Sequence, residues 1–211
     1  MRSVLFISGL LILAFAWMGP LPEMAAHSFS AHMTLHMLIV AVIAPLLSFA
    51  LAGLAIDPVR HMAALFSPIP ASVGELLIVW AWHAPWLHHF ARNSSIGFAL
   101  EQTMFLAAGV WVWLSAFGGT MPRSKSRAAA GVVGLLLTSM HMTLLGALLA
   151  LAPRLLFNHH HSLIGLSPLQ DQHLGGAVML VVGGIAYLAG GLWLTVDLAN
   201  QRNPNCEALQ A

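Results

Sequence analysis

The chain has 211 residues, 59% of them hydrophobic and 7% charged, with a formal net charge of +1. An ordinary soluble domain carries about 25% charged residues, so this much apolar surface requires lipid as its solvent, and a lipid bilayer is its first expected partner. The near-zero net charge and the lack of a basic run exclude a nucleic-acid footprint, and the single cysteine, Cys206, excludes an internal disulfide and a cysteine-rich metal cage.

A membrane span needs about 20 apolar residues. Six stretches meet that length, near 3–19, 33–55, 71–91, 96–117, 128–152 and 173–196. The expected fold is therefore all-α, a polytopic transmembrane helical bundle of about six spans. Residues 1–22 read as a first span or uncleaved signal anchor. A cleaved signal peptide is the alternative, disfavoured because no clear polar region precedes a cleavage site. A membrane-integral helical domain over 27–198 and a polar cytoplasmic tail over 199–211 complete the expected organisation.

Lys and Arg concentrate on cytoplasmic loops. With the amino terminus inside, Arg2, Arg60, Arg123, Lys125, Arg127 and Arg202 lie inside and Arg92 and Arg154 outside, six against two. That topology puts eleven of the 12 histidines on the extracytoplasmic side or in the spans leading from it, and only His61 inside. Packing needs no imidazole at either end. The chain also holds 11 methionines, and imidazole with thioether suits borderline and soft metals, Cu(I) above all for Met.

Taken in chain order, the polar positions within the apolar runs start with "HMTLHM". Its His32 and His36 are four residues apart, on one helical face, and can aim at one ion. They stand near a helix amino terminus, where the dipole disfavours a cation by about 0.3–1 kcal/mol. That is small beside about 10–16 kcal/mol for a structural zinc ion. Met33 and Met37 are candidate supporting ligands.

"WAWHAPWLHHF" at 80–90 mixes an aromatic interfacial belt with His83, His88 and His89. Pro85 removes an amide hydrogen and can bend the helix to aim His83 inward; His88 and His89 read as surface groups. Glu101, near the outer end of span four, is a functional carboxylate or the local partner of Arg92. His141, deep in span five between Met140 and Met142, either serves a site or hydrogen-bonds a neighbouring helix. His159, His160 and His161 form a short tract that is a flexible capture site or nothing. Asp171 reads first as a helix cap and second as the carboxylate that orients a ligating His173. Gly176, Gly183 and Gly190 recur every seven residues, and with Gly131 and Gly134 they read as helix-packing positions.

"HMTLHMLIVAVIAPLLSFALAG", "WHAPWL", "GALLALAPRLLF" and "LSPLQDQHLGGAVM" occur in an order that resembles the polytopic CtaG family of cytochrome c oxidase assembly factors, the type associated with caa3 oxidases. The resemblance covers roughly 27–195. It implies a multi-pass protein of the bacterial plasma membrane that delivers copper to cytochrome c oxidase subunits, with a periplasmic copper donor as a further partner. His32, His36, His83 and the Asp171–Gln172 pair match the family's polar positions. Glu101–Gln102 stands where members often have Glu-His, and six spans stand where several relatives have seven.

The expected metal ligands are thus His32, His36, His83, His141 and His173, supported by Met33, Met37, Met140, Glu101 and Asp171, with copper as the cofactor. Two other functions stay open. One is a haem-binding redox protein using His83 and His141, and the other is a metal-free scaffold. No nucleophile or phosphate loop accompanies the histidines, so an enzyme is not expected.

Overall fold

Span-length apolar runs punctuated by Pro, Gly and Ser can satisfy their backbone groups in lipid only as helices. In a computed structural model of the protein, which describes residues 1–119, 124–157 and 165–200, all regular structure is helical. The histidine tract at 159–161 and most of the tail, with Cys206, lie outside the described residues. The helices are α1 (Arg2–Met18), α2 (Leu21–His27), α3 (Phe29–Leu51), α4 (Pro68–Trp82), α5 (Pro85–Asn93), α6 (Ser95–Phe117), α7 (Lys125–Ala150) and α8 (Pro168–Asn200). Four of them, α3, α6, α7 and α8, are long and apolar enough to cross a membrane. The α1–α2 pair forms a fifth candidate, bent by 46°, and α4 is a shorter apolar helix.

The third expected span differs most from its sequence reading. It is not continuous over 71–91: α4 stops at Trp82, His83 caps it, and a new helix starts at Pro85. Pro85 forces the preceding residue out of helical geometry, and Ala84 accordingly adopts φ −67°, ψ 135°. Proline is then well placed at the first position of α5.

Helix α3 runs through the centre, between α1, α6 and α8. It contains a π-helical turn at Leu38–Ile43, just below His36, and α8 contains another at Met179–Gly183. The Trp113 indole N–H donates to the Val40 carbonyl inside the first of these (3.0 Å). Helices α7 and α8 approach so closely that a Cβ on Gly176 would lie 2.4 Å from the Ala150 nitrogen. This is the small-residue packing expected between membrane helices.

Two polar clusters mark the ends of the bundle. At one end, Asp57 accepts from the backbone N–H groups of Gly53, Val59 and Gly119 (2.7, 2.9 and 2.7 Å). Arg127 there donates to the Phe66 and Ser115 carbonyls. At the other end, Asp171 on α8 accepts from the Phe29 N–H (2.7 Å) and from the Ser28 and Ser30 hydroxyls. Asp171 therefore caps α3, a different helix from its own. The start of α8 is closed instead by a Ser167–Gln170 capping box.

Candidate metal centre

The cap on α3 fixes the phase of the face that follows. His32 and His36, one turn apart, are 0% and 2% exposed, with ring centroids 4.0 Å apart. The start of α6 is set by Ser94, which accepts from the Gly97 N–H (3.2 Å), so that Glu101 faces the same space two turns on. His32 Nε2 lies 3.5 Å from Glu101 Oε1, and His36 Nε2 lies 3.6 Å from Glu101 Oε2. The three side chains offer ligand atoms all within 4.8 Å of one another, and all three are buried.

These separations are informative. Hydrogen bonds of the N–H···O type span about 2.7–3.2 Å, and neither imidazole makes one here. All four ring nitrogens of His32 and His36, and Glu101 Oε1, have no hydrogen-bond partner among the described residues. Buried polar atoms are ordinarily paired, and each exception requires an explanation. An ion with bonds of about 2.1 Å in tetrahedral geometry has ligand–ligand edges of about 3.4 Å. The orphaned atoms thus fit a metal ion better than they fit each other.

Two more imidazoles extend the group. The His36 and His83 rings are 6.0 Å apart, and those of His32 and His88 are 5.1 Å apart. His83 sits at the α4–α5 corner, where its Nδ1 lies 2.7 Å from the Val79 carbonyl. A carbonyl only accepts, so Nδ1 carries the proton and the lone pair of a neutral ring resides on Nε2. Backbone carbonyls fix ligating histidines in this way. His83 Nε2 is buried with no partner among the described residues. Phe105 packs on His36 (4.2 Å) and Phe157 on His88 (4.3 Å), forming an apolar wall.

Glu101 is also the partner of Arg92. The guanidinium Nη2 donates to Oε2 at 2.6 Å, and Gln102 Nε2 donates to the same oxygen at 3.2 Å. The two sequence readings of Glu101, local ion pair and functional carboxylate, are therefore compatible.

The remaining candidates lie elsewhere. His141 is 5% exposed and its ring has no hydrogen-bond partner among the described residues, but it lines a separate groove of about 740 Å³ with Ser72, Leu144 and Leu180. His173 Nε2 lies 2.9 Å from the Ala152 carbonyl, and Asp171 is committed to α3, so the carboxylate does not orient this imidazole. Met33 lies against the Gly175 position and Met37 Sδ against Gly183, on the α8 side of α3. Met140 is 67% exposed. None of the three methionines joins the group.

His88, read as a surface group, is buried, whereas His89 is exposed. The signal was present: His88 and Ala91, three apart on α5, are its two buried residues, and Arg92 follows on the same side. The interfacial tryptophans around it obscured that face.

The family description "Cytochrome c oxidase caa3 assembly factor (Caa3_CtaG)" matches residues 1–201. The chain belongs to this family. No curated protein and no solved structure matches it. Family membership implies an oxidase as partner, and the membrane helices imply a bilayer. The His32–His36–Glu101 group adds a feature of this chain's own geometry.

Proposed function

We propose that this assembly factor carries a transition-metal ion, copper, between His32, His36 and Glu101 and releases it to a cytochrome c oxidase subunit. The ion is cargo, and the protein acts as a metallochaperone without catalysing a reaction. The observation that carries this reading is the pair of imidazole–carboxylate distances, 3.5 and 3.6 Å, between buried atoms too far apart for hydrogen bonds. His83, with its Nε2 lone pair freed by the Val79 carbonyl, is the fourth donor. Nitrogen and oxygen donors without sulfur suit several first-row metals, among which copper binds imidazole sites strongly. The oxidase reading of the family supplies the reason to choose copper. The excess of Lys and Arg at the opposite end of the bundle supports an extracytoplasmic site, on the side where a periplasmic donor could load it.

Metal content of the purified full-length protein, expressed with added copper, tests the reading. Wild type is expected to retain about one ion per chain, and His32→Ala/His36→Ala none at the same yield. Equal metal in the two proteins overturns the assignment. Full oxidase assembly supported by the double variant would favour a metal-free scaffold.

A further inference from the structure

Glu101 cannot serve a metal ion and Arg92 with full strength at once. In the structure its carboxylate holds the guanidinium at 2.6 Å, and Arg92 is itself 10% exposed. A cation arriving between His32, His36 and Glu101 would place two positive charges on one buried carboxylate. Uncompensated charge in such surroundings is costly, so one of the two must leave.

Arg92 has somewhere to go. A polar cavity of about 510 Å³ adjoins it, lined by Arg92 together with Asn93, Ser94 and Ser95. Among the described residues the guanidinium has three tethers: the Glu101 carboxylate, the Ala25 carbonyl (3.1 Å), and the face of Phe98 (5.3 Å to the ring centroid). Its Nε has no hydrogen-bond partner among the described residues.

Building on the metal-carrier reading, we infer that Arg92 is a built-in counter-cation latch. It neutralises Glu101 when the site is empty, swings into the adjoining cavity when the metal binds, and displaces the metal by returning. The exchange is one cation for another, so the buried charge stays nearly constant through loading and unloading. Reforming the Arg92–Glu101 pair offsets the lost metal–carboxylate bond, which holds affinity at a level from which a partner can take the ion.

The test uses full-length protein in detergent and Cu(I) in competition with a chromogenic Cu(I) chelator. Arg92→Gln is expected to bind Cu(I) at least about tenfold more tightly than wild type, because a charge repelling the ion is gone. Arg92→Lys, which keeps that charge, should stay within about threefold of wild type. Unchanged or weaker binding by Arg92→Gln, with wild type still binding, overturns the latch and leaves the carrier reading intact. Binding by neither protein overturns both.

A second measurement needs no variant. Modification of Arg92 by phenylglyoxal, mapped by mass spectrometry, should rise several-fold when the wild-type protein is loaded with Cu(I). An unchanged or reduced rate overturns the proposal even where Arg92→Gln does not fold.

Discussion

Glu101 combines two roles that substitution can separate. It is the counter-ion of a largely buried arginine and the anionic donor of the candidate centre. Removing one partner of a buried ion pair costs about 3–5 kcal/mol, mostly through the charge left behind. Glu101→Gln should therefore lose both metal and stability. Glu101→Gln/Arg92→Gln removes the orphaned charge as well, so it should regain most of the thermal stability in detergent while still failing to hold metal. Metal retained by the double variant would mean that the imidazoles suffice without the carboxylate. Recovery of metal together with stability would make Glu101 a structural residue only.

The element that aims the site is the break between α4 and α5. A continuous helix over 71–91 would carry His83 and His88 five residues apart, about 140° round the axis at 3.6 residues per turn, and could not direct both toward α3. The Ala84–Pro85 step ends one helix and starts another, and the His83 ring comes to 6.0 Å from His36 while the His88 ring comes to 5.1 Å from His32. Pro85→Ala removes the steric reason for Ala84 to stay extended. It is expected to weaken Cu(I) binding at least about tenfold in the same chelator competition, although no donor atom changes. Wild-type affinity in Pro85→Ala would show that tertiary packing alone maintains the corner.

Much of this was legible in the sequence, and the failures have physical reasons. The i, i+4 spacing fixed His32 and His36 on one face, and hydropathy marked the long spans, because both depend on local periodicity. The proline in "WHAPWL" announced a bend but not its extent. Asp171 was recognisable as a cap, but its partner lies on a helix 142 positions away in the chain, at Phe29. His141 and His173 look like ligands in sequence because depth and charge can be read there, whereas convergence cannot. His88 was hidden by the tryptophans beside it, which carry the stronger interfacial signal.

At the scale of the whole molecule, orientation decides what the centre can exchange with. The bundle sorts its charge: Arg60, Lys125 and Arg127 gather at the Asp57 end, and Arg92 and Arg154 at the end that holds the imidazoles. Basic loops favour the cytoplasmic side, and on that ground we propose that the histidine end is extracytoplasmic. Three exposed histidines can report this without touching the site: His27 and His89 at the imidazole end, and His61 at the Asp57 end, where its Nε2 lies 3.1 Å from the Ala55 carbonyl. In a Cys206→Ser background, single cysteines at these positions should react differently with a membrane-impermeant maleimide. His27→Cys and His89→Cys should label on intact cells stripped of their outer layers, and His61→Cys only after the membrane is opened. The reverse pattern would put the centre on the cytoplasmic side, within reach of a different metal pool and away from any periplasmic donor. The carrier would then have to move its cargo across the bilayer. The buried imidazoles of the group, His32, His36, His83 and His88, offer no such relay, since the next buried histidine, His141, lines a separate groove. Sidedness and function therefore stand or fall together in this experiment.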